Sequence, residues 1–258
     1  MNDSPQRSPG QRDRSRRVSS SLSALGRWLD RIDPGTHRRI KGLRLVTAYG
    51  IAAALGALQD IAHHVPGSIS LSYLAGSFAL WASVSEGKST RAGSSRDLAL
   101  LSFSAGLGAL VFVFLSEPLR LTGRAGPEMV LVTGAFLVGY LKRFGVLGAG
   151  IGSQIYIGEL LAYGARMTTD DAVAIAIAAL IATVASVVPR MLSGPAERPV
   201  TPAVLAAGPQ VVPGRYSPEL SMGLQAAVGA LIIVILNGVV GLEESGWAIT
   251  ACTYVVAG

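Results

Sequence analysis

In the stretch "GAGIGSQIYIGELLAYG", residues 148–164, one carboxylate, Glu159, sits among apolar residues, with Gln154, Tyr156 and Tyr163 close by in the chain. A carboxyl in such surroundings can do two kinds of chemistry. It can take up and release a proton, because removal from water disfavours the charged form. It can also hold the polar part of a substrate, with tyrosine hydroxyls as hydrogen-bond partners. Glu159, Tyr156, Tyr163 and Gln154 are therefore the candidates for a substrate or proton site. Two plainer readings stay open: a carboxyl that ties helices together through tyrosine, and a carboxyl at the interface at the end of a shorter apolar segment.

Residues three and four apart share one face of a helix. Gly145, Gly148, Gly152, Tyr156, Glu159 and Tyr163 then make a single stripe, glycine in its first half and polar in its second. The glycines, read as helix-packing positions, let a second backbone come close. The polar half must face a neighbouring helix or a wet cavity, because a charged carboxylate facing lipid costs several kcal/mol.

The elements that must hold this stripe are long apolar blocks. Half of the 258 residues are apolar and the mean hydropathy is +0.47. Residues 45–62, 98–116, 172–189 and 222–241 contain no Lys or Arg. Each is close to the roughly 20 residues that cross a hydrocarbon core. The ten-residue alternation of a membrane β-barrel is missing. The fold class is all-α, a polytopic transmembrane helical bundle. Spans are expected at 45–62, 69–85, 98–116, 128–141, 144–164, 172–189 and 222–241, and an eighth begins near Trp247.

Charge gives the topology. Residues 1–44 hold eleven of the 22 Lys and Arg and four acids, a net of +7 against −1 for the rest of the chain. This segment has no apolar core of a signal peptide and reads as a largely disordered basic tail, with an interfacial helix over 20–33. Its partner by charge and position is an anionic lipid surface rather than nucleic acid. If the tail and every second connection lie on one side, that side carries 19 Lys and Arg and the other carries 3. The positive-inside rule then puts the amino terminus in the cytoplasm. Residues 192–220 contain six prolines and read as a cytoplasmic linker. The organisation expected is a tail (1–44), a six-span unit (45–191), the linker (192–220) and the first one and a half helices of a second, similar unit (221–258). The second unit looks truncated.

"GLQAAVGALIIVILNGVVGLEESGWAITACTYVVAG", residues 223–258, resembles the opening helices of a membrane unit in the fusaric acid resistance, or aromatic acid exporter, superfamily (FUSC-type). Trp247 and Thr250 carry the motif-like part. The resemblance implies a multi-pass protein of the bacterial inner (plasma) membrane. It implies export of aromatic carboxylic acids or related amphipathic compounds, driven by the proton gradient. Some members of that superfamily work with a periplasmic adaptor protein, so such a partner is expected beside the small organic acid substrate. A homo-oligomer is left open.

Other chemistry finds little support in the residues. No nucleotide-binding loop, nucleophile–base pair or cofactor motif stands out, so no enzyme activity and no cofactor are expected. Asp60, His63 and His64 read as polar residues at the end of a span rather than as metal ligands. Asn237 and Gln154 read more readily as interhelical hydrogen-bond partners than as ligands to a substrate. The alternative function is a non-transporting membrane scaffold or accessory subunit acting through the basic tail.

Overall fold

The computed structural model describes residues 37–63, 70–85, 91–123, 125–193, 217–242 and 245–257. The expected interfacial helix, His64, Lys88 and most of the proline-rich linker lie outside the described residues. The chain divides into residues 1–43, of which only the opening turns of one helix are described, and a compact unit of residues 44–258.

Among the described residues the structure is helical throughout. The helices are α1 His37–His63, α2 Leu71–Val84, α3 Arg91–Leu119, α4 Met129–Tyr140, α5 Gly145–Gly164, α6 Ala172–Leu192, α7 Pro218–Val240 and α8 Ser245–Ala257. All seven expected spans and the eighth start fall on one helix each.

Local chemistry sets the ends. At the start of α7 the Ser217 hydroxyl accepts from Leu220 N at 3.3 Å, Pro218 fills the first turn where its missing N–H costs nothing, and Glu219 meets the positive end of the helix. Gly241, at φ 75, ends α7 in the left-handed conformation. The cap of α2 is borrowed. Asp60 of α1 accepts from Ser70 Oγ at 2.8 Å and from Leu71 N at 3.2 Å. This is the structural role of the acid in the Asp60, His63, His64 group.

Five helical runs are long and apolar enough to cross a membrane. One of them, Met129–Gly164, is a hairpin, because a 3-10 turn over Leu141–Phe144 folds α5 back on α4. At 14 residues α2 falls below that length; its rise of about 21 Å is short of the about 30 Å of a hydrocarbon core. The faces are arranged inside out relative to a water-soluble bundle. In α6, Val173, Leu180, Val184 and Val188 are exposed while Ala174, Ala178, Ala182 and Ala185 are buried. In α7, Leu224, Val228, Ile232 and Ile235 are exposed while Ala226 and Ala230 are buried. Large apolar residues outward and small ones at the contacts mark helices that associate in lipid. This is the pattern of a chain that crosses a membrane several times.

Small residues also fix which helices touch. A Cβ on Gly158 would overlap the backbone of Ala105, and one on Gly108 would overlap that of Ile155, so α5 lies hard against α3. Gly152 meets the carbonyl of Leu137, so the opposite side of α5 lies against α4. Gly139 and Gly223 join α4 to α7 backbone to backbone, and Gly229 makes room for Cys252 between α7 and α8. Helices α7 and α8, expected to begin a second unit, thus pack on α4 and α5. Residues 44–258 form one compact unit.

Candidate functional site

Helix α5 runs through the middle of this packing, and its α4 face carries most of the expected stripe. Gly148 abuts the Leu141 carbonyl, Gly152 abuts Leu137, and Glu159 reaches Gly134 and Thr133. Glycine recurs on both helices along the seam, and the side chains that fill it are polar. Glu159 and Tyr156 are fully buried there.

Glu159 Oε1 accepts from Thr133 Oγ1 at 3.4 Å, a long bond, and Oε2 lies against Gly134. The Thr133 hydroxyl also donates to the Val130 carbonyl, at 2.6 Å, and has one hydrogen to divide between the two acceptors. The carboxyl is therefore weakly held by hydrogen bonds and well enclosed by packing. Tyr156 turns toward α8, with its hydroxyl 2.9 Å from Thr250 Oγ1. Thr250 donates to the Gly246 carbonyl at 2.8 Å, so Tyr156 is the donor to Thr250.

Tyr163, one turn beyond Glu159, donates to a second carboxylate, Glu128. Glu128 precedes α4 and is 4 % exposed. Its Oε1 also accepts from Asn237 Nδ2 at 2.7 Å and from Ser245 Oγ at 2.7 Å. One oxygen thus gathers donors from α5, α7 and α8 at the edge of α4. The Tyr163 ring packs edge-on against Phe112 of α3, centroids 6.0 Å apart. The stripe expected around one acid is the seam between two.

Two expected members lie elsewhere. Gln154 is fully buried but points to α2, where Nε2 donates to the Trp81 carbonyl at 2.9 Å and to Ser85 Oγ at 3.0 Å. Gln154 and Tyr156 are two residues apart, about 200° around the helix, so they belong to different faces. Gln154 is a helix-to-helix tie and does not join Glu159. Gly145, expected as a packing glycine, has open space where a Cβ would stand. Its φ of 76 serves the turn that starts α5.

Beside the seam lies a cavity of about 860 Å³ between α2, α5 and α8. Five aromatic residues stand in its wall: Tyr73 and Trp81 from α2, Tyr163 from α5, Trp247 and Tyr254 from α8. Thr250 lines it as well, so both motif-like residues of α8 face this space. At its rim stands Arg166, just past the end of α5 and held at φ 54. Tyr163 belongs both to the cavity wall and to the Glu128 network. The cavity has flat apolar faces, a few hydroxyls and one cation, the exposed Arg166, at its rim, which together suit an aromatic organic anion.

Sequence reasoning missed Glu128, Thr133, Gly134 and Ser245. Glu128 stands next to Pro127 at a span boundary, where a polar residue looks ordinary. The available signal was Asn237, an amide near the end of an apolar helix that needs a buried partner.

Comparison of the chain with protein-family models, with curated proteins and with solved structures returns no match.

Proposed function

We propose that this chain is a multi-pass transporter that carries aromatic carboxylic acids or similar amphipathic anions out of the bacterial cell, driven by protons, in the manner of the fusaric acid resistance exporters. The observation that carries this reading is the about 860 Å³ aromatic cavity with Arg166 at its rim, sharing Tyr163 with a helix seam that buries Glu128 and Glu159. An aromatic ring stacks on the walls while its carboxylate meets the guanidinium. The buried carboxyls next to it supply groups that can change protonation as the helices move. The resemblance of residues 223–258 to that superfamily supports the same substrate class. Trp247 and Thr250, which carry its motif-like part, line the cavity. In this reading every described helix from α1 to α8 enters the membrane, the amino terminus is cytoplasmic, and the cavity opens toward the periplasm. A periplasmic adaptor would meet that side.

The test is retention of radiolabelled weak aromatic acids by cells lacking the native gene. The cells carry wild type, Glu159→Gln or no copy, with and without a protonophore. Lower retention with wild type, abolished by the substitution and by the protonophore, is the expected result. Equal retention in all three strains, with the protein present in the membrane, sinks the exporter reading.

A further inference from the structure

The hydrogen bonds around Glu128 do not balance. Three donors converge on Oε1, from Tyr163, Asn237 and Ser245, while Oε2 is buried and has no partner. Asn237 Oδ1 is likewise buried without a partner. Both residues are 4 % exposed, so bulk water does not reach them. The two unpartnered atoms are the second oxygens of a carboxyl and a carboxamide whose other atoms, Oε1 and Nδ2, are already bonded at 2.7 Å. A carboxylic acid and an amide that meet in this way close a two-bond ring. The amide N–H donates to the acid carbonyl, and the acid O–H donates to the amide oxygen. One hydrogen is lacking. An unpartnered buried acceptor costs about 1–3 kcal/mol, and a single proton on Oε2 removes two of them.

We infer that Glu128 and Asn237 form a proton-binding site, with the proton on Glu128 Oε2 and directed to Asn237 Oδ1, and that this site joins α4 to α7 only while it is occupied. The inference deepens the proposed function, on which its coupling role rests, by naming a second carboxyl beside Glu159. Release of the proton leaves both acceptors without a hydrogen at the α4–α7 contact and loosens that end of the bundle. Tyr163 and Ser245 carry the change to the cavity wall and to α8. A metal ion fits less well, because it needs several oxygen ligands, and around Oε1 hydrogens point inward from all three partners. Among the described residues, Tyr163 is the ionisable group bonded to Glu128; Glu159 stands one turn before it on α5, and Arg166 lies close enough to act on Tyr163. Helices α7 and α8 offer only the uncharged Asn237 and Ser245. Glu117 and Arg120, at the end of α3, are paired with each other at 3.4 Å on the surface.

Infrared difference spectra between acid and alkaline conditions test this on the full-length protein in a Glu159→Gln background, where subtracting the spectra of the same background with E128Q added cancels the other carboxyls and leaves the band of Glu128. A carbonyl stretch of a protonated carboxyl is expected at acid pH and lost at alkaline pH. The component due to Glu128 should be missing from E128Q, whose amide supplies the same hydrogen and keeps the fold. It should shift in frequency in N237L, which leaves the acid but removes its partner. Spectra of E128Q that superimpose on those of the parent overturn the inference. So does a band that sodium chloride displaces at constant pH, which makes the site a sodium site. No substrate enters this measurement. A band with no acid export leaves the proton site standing and removes the exporter reading. Proton-driven export with no such band does the reverse.

Discussion

Gly134 of α4 and Glu159 of α5 stand opposite each other, and the Glu159 carboxyl fills the space that a Cβ at residue 134 would take. The glycine is there because the acid is. Each helix is backed by a further one in backbone contact, α5 by α3 at Gly158 and α4 by α7 at Gly139, so neither can readily retreat to admit more volume. Substituting Gly134→Val therefore forces the carboxyl out of its place or splits the seam. Overpacking of this kind costs about 1–3 kcal/mol. Thermal unfolding in detergent should show a lower midpoint for Gly134→Val. Gly134→Val with Glu159→Ala should recover most of the loss, since the double variant removes the volume that clashes. An equal loss in both variants would mean that the crowding is not with Glu159.

The contact of α5 with α3 gives a second prediction that does not involve the acid. A Cβ at Gly158 would overlap the Ala105 carbonyl and approach Ala109 N at 2.8 Å. Backbone atoms cannot rotate away as a side-chain end can. Gly158→Leu should reduce the yield of folded protein more than Gly42→Leu, since residue 42 has open space around it. Size-exclusion profiles of the two variants decide the matter. Equal profiles would mean that α3 and α5 are not in backbone contact.

These two glycines also indicate what the sequence could and could not convey. Helix positions were legible because lipid demands unbroken apolar runs, and breaks such as Pro218, Gly241 and the Lys142–Arg143 turn stand out against them. The seam side of α5 was legible because Gly148, Gly152, Tyr156, Glu159 and Tyr163 keep helical spacing. Their opposite numbers on α4 were not. Thr133 and Gly134 lie in a segment, "MVLVTGAFLVGY", where every residue is compatible with lipid, so nothing singles out one face. The network around Glu128 joins residues 109 and 117 positions apart, a distance that local periodicity does not reach. Gln154 was grouped with Glu159 by nearness in the chain, and the turn of the helix separates them.

The borrowed cap of α2 is open to a direct check. Asp60 accepts from the Ser70 hydroxyl and from the backbone of Leu71, with Ser72 N a further 3.5 Å contact. At 14 residues α2 has little length to spare. Removing a helix cap costs about 0.5–2 kcal/mol. In Asp60→Ala the amides of Leu71 and Ser72 should exchange with solvent deuterium faster than in wild type, while those at the centre of α5 keep their rates. Asp60→Asn retains an acceptor and should fall between the two. Unchanged exchange at Leu71 in Asp60→Ala would remove Asp60 as the cap.

Arg166 joins a structural strain to the proposed substrate contact, and one substitution separates them. The residue sits at φ 54, where a side chain is disfavoured, and its N–H bonds to the Tyr163 carbonyl at 3.0 Å as the end of α5 turns. Glycine takes this conformation without the steric cost, so Arg166→Gly should raise stability by about 1 kcal/mol. The same change takes the cation from the cavity rim. A hydrogen bond to a charged group contributes about 1.5–3 kcal/mol, so binding of an aromatic carboxylate should weaken by about tenfold or more. Arg166→Gly is thus expected to unfold at a higher temperature and to export less. A neutral amide of the same aromatic acid serves as the control, because its binding to the walls should be little changed. Equal loss of acid and amide would place the effect in the shape of the cavity. No loss of either would detach Arg166 from the substrate and leave it as a turn residue alone.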